Sequence, residues 1–258
     1  MVGTVEFFNP NNINDSNTFA FTTANTDNAS FLYDNDNNVT LSSDGSADGV
    51  NEKWQCNFDS SKTVDTIHVC NHNFKTGNIK YLDGSMVETD FTPAIAWSGN
   101  TTITDNFYAV TSVDCMGIVV NVTNTIDTGE KTCGQLRALD KFGELPRAKK
   151  FTPTLNIAQD LKTKIDGGKD KIINGVKFEG TVKFDDLSDA NLETLFELAQ
   201  RGRPFYIYFS SMSDDKTKRF FKVCDMYLVN MTNDPKPKMP DELVDDVTWE
   251  ADIKIEEV

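Results

Sequence analysis

Between Val64 and Leu82 the chain reads VDTIHVCNHNFKTGNIKYL, and its side chains divide into two alternating faces. A period of two, carried by Val, Ile, Thr and Tyr, is the signature of a strand. The spacing predicts a strand over Val64–Cys70, a polar turn over Asn71–Asn78 and a return strand over Ile79–Leu82. Val64, Thr66, His68 and Cys70 then line one face, and Asp65, Ile67 and Val69 the other. Gly77 supplies backbone freedom for the turn. A large all-β domain can be arranged outward from this hairpin, and a second domain follows it.

The rest of the first half repeats this grammar. Short aromatic pairs, Phe7–Phe8, Phe19 with Phe21, and Phe31 with Tyr33, sit among Asn, Asp, Ser and Thr, as in short edge strands and turns. Trp54, Cys56 and Phe58 alternate with Lys53, Gln55 and Asn57. Glu88–Phe91, Phe107–Val110, Gly117–Val122 and Glu130–Leu139 read as further strands, and Pro93 and Ser98-Gly99-Asn100 as turns. Turn signals every 8–12 residues without a helical pattern indicate a sandwich or jelly roll over 1–145. Gly143 to Lys150, with Pro146 and a shift from acidic to basic, reads as a linker.

Residues 146–258 differ. Thr152–Ile157 and Lys177–Phe184 are strand-like, the latter with Phe178, Gly180, Val182 and Phe184 inward. Asp160–Asn174 is a charged, glycine-containing excursion that suits a long hairpin arm. Asp189–Arg201 is the one strong helix, with Leu192, Leu195, Phe196 and Ala199 in a stripe, Ser188 as N-cap and Gly202 as terminator. Strands follow at 205–210, 219–231 and 247–255. The expected fold class is mainly β: an N-terminal jelly-roll sandwich, then a β-sandwich or barrel with one packed α-helix.

The chemistry that remains is sparse. The formal net charge is −15, and 1–145, with 7 Lys/Arg against 19 Asp/Glu, holds −12 of it. Such a surface repels phosphate backbones and anionic membranes, so neither nucleic-acid binding nor membrane insertion is expected. No apolar run reaches transmembrane length, and the first residues do not read as a secretory signal. Five cysteines without a C-x-x-C pair suit a chain folded in a reducing cytosol. His68, Cys70 and His72 share a strand face, but no fourth ligand follows, so no metal site is assigned. Asp34-Asn35-Asp36-Asn37-Asn38 opens like a calcium loop but carries Val39 and Gly45 where Gly and Glu are needed, which leaves only a looser site around Asp34 or Asp36 open. No P-loop, dinucleotide fingerprint or nucleophile elbow occurs, and the expectation is a protein without catalysis or cofactor. Aromatics beside polar turns are the candidates for ligand or partner contact: His72, Asn73, Phe74, Trp97 and Asn100.

Two resemblances arise. WQCNFD, VDTIHVCNHNF, IKYLDGS, GIVVNV and CGQLRAL, in that order, resemble the discoidin (coagulation factor type C) family over about Phe19–Leu145. This implies a galactose-binding-like jelly roll whose loops contact glycans, lipid head groups or proteins. It lacks the flanking cysteine pair that secreted members often carry. KFEGTVKFDDLSDANLETLFELAQRGRPFYIYFS is similar to the tail-tube fold of tailed bacteriophages. That likeness implies a virion tail or baseplate protein, made in the host cytoplasm and assembled as a homo-oligomeric ring of three or six with other virion proteins. Its hairpin arm would then be a subunit contact, through Asp160, Lys162, Lys164, Asp166, Lys169 and Lys171. The N-terminal domain would decorate the exterior and touch partners or a host surface glycan. The alternative is a freestanding carbohydrate-binding protein.

Overall fold

A computed structural model describes residues 4–24, 26–34, 39–43, 48–102, 104–146, 148–163, 169–209, 226–238 and 249–258. In chain order the strands are β1 (Thr4–Phe8), β2 (Thr18–Phe21), β3 (Leu41–Ser42), β4 (Glu52–His72), β5 (Phe74–Leu82), β6 (Glu88–Ser98), β7 (Thr104–Thr125) and β8 (Thr132–Cys133). They continue with β9 (Gln135–Leu139), β10 (Lys141–Pro146), β11 (Lys150–Thr163) and β12 (Lys169–Leu187). Helix α1 (Asp189–Arg201) precedes β13 (Phe205–Phe209), β14 (Met226–Met231) and β15 (Trp249–Glu257). A 3₁₀ turn spans Thr26–Leu32. The fold is mainly β with antiparallel pairing and one α-helix among the described residues, as the alternation indicates.

The chain forms two compact units, but they are not consecutive. One comprises Met1–Pro10 with Phe142–Val258, the other Asn11–Lys141. Residues 1–10, expected at the head of the N-terminal domain, belong to the second half because β1 pairs with β13, Phe7 opposite Ile207. The 11–141 unit is therefore an insertion. Its two ends lie side by side: the Asn12 amide donates to the Ala138 carbonyl at 3.0 Å. Adjacent ends are what allow a domain to be inserted without distorting its host. The expected linker is also displaced, since 141–146 form β10 and Leu145 is buried in the split unit's core.

In the inserted unit β4 and β7 are single strands of 21 and 22 residues, where the sequence suggested pairs of short ones. Register shifts between Asn57 and Lys62 and between Val64 and Thr66 bend β4, so that it pairs with β2 in its first half and β9 in its second. The sheet order is β2-β4-β7-β5-β6, with β9 beside β4. The expected turn at 71–78 shrinks to Asn73, because Asn71 takes a positive φ of 50° and the strand then resumes. Gly77 consequently lies inside β5. A Cβ there would sit 2.2 Å from the Asn121 carbonyl, so close approach of β7, not turn freedom, demands glycine.

The split unit is a seven-stranded sheet in the order β10-β1-β13-β14-β15-β12-β11. Helix α1 has the expected bounds. Ser188 and Asn191 form a capping box, and Gly202 ends the helix in the left-handed conformation at φ 56°. Its buried stripe is Leu195 and Leu198, with Leu192 packed alongside. Phe196, expected inward, is 47% exposed. A three-residue step from Leu192 through Leu195 to Leu198 keeps these leucines on one side of a short helix, and Phe196 falls off that side. Arg201 closes the last turn over the Phe142 ring, 3.3 Å from its centroid, and bonds Glu197 at 2.9 Å.

Candidate ligand-binding site

The residues singled out as a ligand platform do come together, but inside the protein. His72 and Phe74 are wholly buried, Asn73 is 1% and Trp97 3% exposed, and only Asn100 reaches the surface in part. The His72 and Phe74 rings lie 4.7 Å apart, His72 and Trp97 5.3 Å, and Phe74 and Trp97 5.2 Å edge to face. Trp54 adds a further edge contact to Phe74 at 5.5 Å. Asn106 Oδ1 accepts from His72 Nε2 at 2.7 Å and from Trp97 Nε1 at 3.0 Å. His72 Nδ1 accepts the Phe74 N–H at 3.1 Å, so the imidazole is held as its neutral Nε2–H tautomer. Burial pushes its pKa below the ordinary histidine value. Asn73 Nδ2 donates to Asp127 Oδ1 (3.0 Å) and the Glu130 carbonyl (2.7 Å), and Asn100 Nδ2 to the Phe74 carbonyl (3.1 Å). Alternation assigns a residue to a face but says nothing of what covers that face. Here the covering is complete, and no sugar can stack on Trp97 or Phe74.

His68 is equally interior. Its Nδ1 lies 3.2 Å from Arg137 Nη1, which also donates to Cys70 Sγ at 3.2 Å. No group of three or more His, Cys, Asp and Glu suited to a metal occurs among the described residues. Cys56, Cys70, Cys115 and Cys133 are buried free thiols, and burial raises the Cys115 thiol to about 11. Of the calcium-like run, Asp34 accepts from Gln135 Nε2 at 2.7 Å, and 35–38 lie outside the described residues.

The expected arm is a two-stranded ribbon in the backbone. Asp160 pairs with Ile172, Leu161 with Lys171, Lys162 with Asp170 and Thr163 with Lys169, while Lys164 and Asp166 lie outside the described residues. On the far side of β12, β15 pairs only from Glu179 onward. Among the described residues, the ribbon thus runs past the sheet from which it springs.

The surface feature that the sequence reading missed lies on β2, an edge strand paired only with β4. Phe19 stands opposite Cys56 and Phe21 opposite Trp54, so both rings face the core yet remain partly exposed at its margin. The 3₁₀ turn returns the chain so that Tyr33 stacks on Phe19, with centroids 5.8 Å apart and planes at 15°. Phe21 continues the row, 5.9 Å from Phe19. Asp15, Ser16, Thr18 and Asp34 are exposed. The loop before β2 is tied internally: Asn14 Oδ1 accepts from the Ser16 amide and hydroxyl at 2.9 and 2.6 Å, and Asn17 Oδ1 from the Asn14 amide at 2.9 Å. Asn17 Nδ2, in a residue over nine-tenths buried, has no hydrogen-bond partner among the described residues. The Tyr33 hydroxyl is raised above the usual tyrosine pKa, first by burial and then by Asp15 and other neighbours. The i, i+2 spacing of Phe19 and Phe21 was a legible signal. The arrival of Tyr33 depends on a 3₁₀ turn that no periodicity announced.

No protein-family model matches the chain, and no curated protein matches it. Solved structures similar to about half of it include the family 32 carbohydrate-binding module of Clostridium perfringens NanJ in complex with galactose. That match has 14% identity and TM-score 0.41 over 53% of this chain and 99% of that one. Chitosan-binding module 1 of a Paenibacillus sp. IK-5 chitosanase/glucanase matches at 15% identity and TM-score 0.40 over 50% and 96%. SpGH29 matches at 14% identity and TM-score 0.40, and the chain spans 27% of its length.

Proposed function

We propose that the inserted 11–141 unit is a carbohydrate-binding module carried by the split unit. The observation that carries this reading is the half-exposed Phe19–Tyr33 stack with the exposed carboxylates of Asp15 and Asp34 near Tyr33. An aromatic face receives the apolar side of a pyranose, and short polar side chains fix its hydroxyls. The discoidin-like strand pattern supports the same role. Full-length protein on a glycan panel should bind at least one sugar class, and Tyr33→Ala should abolish that binding while Trp54 fluorescence and the thermal unfolding profile stay native. Absence of binding across the panel would refute this reading.

A second reading, assembly in a virion tail through the split unit, is favoured by one observation, the β11–β12 ribbon extending beyond its sheet. An isolated two-stranded ribbon is marginally stable in water and gains from a neighbouring chain. Deleting Asp160–Asn174 should convert an oligomer into a monomer by light scattering, with both units still folded. An unchanged mass would remove the arm from the account.

A further inference from the structure

We infer that Asp65 is a proton-operated latch on the exit of the inserted unit. Ionised, its carboxylate fastens Lys141, the last residue of that unit; protonated, it lets Lys141 go while the unit stays folded. The geometry begins with a break in β4. Val64 and Ile67 are three positions apart, yet both are wholly buried in one core, so the alternation of faces is interrupted between them. Asp65 sits in the interruption. Along β7 the register passes from Val64 opposite Val113 to Thr66 opposite Ala109 and gives Asp65 no partner strand residue. On the other side the β4–β9 ladder stops at Thr66 opposite Leu139. The next place would set Asp65 against Asp140, and like charges directly opposite are unfavourable. Asp65 instead accepts the Lys141 amide with both carboxylate oxygens, at 3.1 Å each, and the Thr66 hydroxyl at 3.0 Å.

The same break receives the entry of the unit. Asn12 Nδ2 donates to the Thr63 carbonyl at 3.0 Å, and Asn11 Oδ1 accepts the Ala138 amide at 3.0 Å. The entry is thus held by carboxamides, which do not titrate, and the exit by a carboxylate, which does. Asp65 is half-buried. Burial, joined by the charge of Asp140, pushes its pKa above the ordinary aspartate value, against the downward pull of the Lys141 amide, the Thr66 hydroxyl and the Lys141 charge. Close to the break, Asp114 of β7 accepts from Thr63 Oγ1 at 2.7 Å, and Lys62 pairs with Asp59 at 2.8 Å. Because the folded pKa is the higher one, stability from Asp65 is complete below the ordinary 3.8 and is lost as pH rises through the folded value. Protonation therefore favours the folded unit, while the charge-assisted bond to the Lys141 amide becomes a weaker neutral one. The latch opens without unfolding.

The test is amide hydrogen exchange of the full chain, read residue by residue by NMR from about pH 7 to about pH 3 and expressed as protection factors. Lys141 protection should fall several-fold as Asp65 protonates, and the Lys141 amide and Asp65 carboxyl shifts should titrate together at a midpoint above 3.8. The Asn12 amide, which donates to the Ala138 carbonyl, should hold steady. Asp65→Asn should leave Lys141 poorly protected at neutral pH and abolish its titration. Asp140→Asn removes a like charge without touching the clasp, so it should lower the midpoint and keep Lys141 fastened at neutral pH. A Lys141 amide that does not titrate, a titration that survives in Asp65→Asn, or an Asn12 amide that loosens in step with Lys141 would overturn the latch. If Asp65→Asn does not fold, Asp140→Asn decides, and an unmoved midpoint there would overturn it as well.

Discussion

The two units solve the problem of an interior in opposite ways. The split unit packs Val5, Phe7, Val182, Phe184, Leu195, Phe205, Ile207, Ile253 and their neighbours into an apolar core against one helix. Among the described residues, every buried polar or charged side chain belongs to the inserted unit: Asn17, Glu52, His68, His72, Asn73, Lys131, Gln135 and Arg137 among them. Glu52 shows how such a group is kept. Its carboxylate accepts from the Thr23 amide and hydroxyl and from Trp54 Nε1 at 2.8–3.0 Å. An apolar core tolerates approximate fit, whereas a wired one loses the full desolvation cost of any partner left alone. The inserted unit should therefore be the more brittle of the two, and the following substitutions probe that contrast.

The largest effect is expected at Gly117, where an added Cβ would lie 2.3 Å from the Cys56 carbonyl between two paired strands. Gly117→Ala should cost the inserted unit on the order of 4 kcal/mol, since backbone cannot retreat as a side-chain tip can. In a denaturant titration of the full chain the transition of that unit should move alone. An equal shift of both transitions would mean the units unfold together, and the contrast would lose its meaning. Next comes Asn106→Leu, which strands the His72 and Trp97 donors in the interior. A loss of about 2–4 kcal/mol is expected from two unsatisfied groups, and a loss under about 1 kcal/mol would show that the aromatic box does not depend on its polar pin.

The smallest effect is a pH dependence. Both histidines of the chain lie in the inserted unit. His72 has a folded pKa below the ordinary 6.5, so between the two values the unfolded chain binds more protons than the folded one. Stability from this group is complete above about 6.5 and is lost as pH falls through that value toward the folded pKa. Melting of the inserted unit should begin to drop between pH 7 and 5.5, ahead of the split unit. A drop of equal size in a His72→Gln variant would assign it to other groups.

What the sequence revealed follows the range of each interaction. Helix α1 was legible to the residue, because Ser188, Asn191 and Gly202 act within four positions of its ends. The inward set Val182 and Phe184 on β12 was legible from alternation alone. The split of the first unit was not, since the partnership of β1 with β13 leaves no local mark on Thr4–Phe8. For the candidate site, the aromatic residues were visible but their burial was not. Trp97 and Phe74 looked like rim residues because polar turns adjoin them, yet Asn100 of one turn folds back onto the Phe74 carbonyl and Asn106 of β7 holds Trp97. Phe19 and Tyr33 looked like edge fillers, and they form the exposed stack.

The insertion also sets a timetable for biosynthesis. The inserted unit has all its residues once position 141 has emerged from the ribosome. Strand β1 is made before both of its neighbours, β10 in the residues directly after the inserted unit and β13 about 200 positions after β1. At about 5–20 residues per second that is a wait of roughly 10–40 s. Until β10 is made, the apolar Val5, Phe7 and Phe8 have no neighbouring strand, and β13 closes their other side only later. A nascent chain of this design thus carries a hydrophobic strand with one open edge until β13 is made, and that edge is where a chaperone or a misassociating neighbour would take hold.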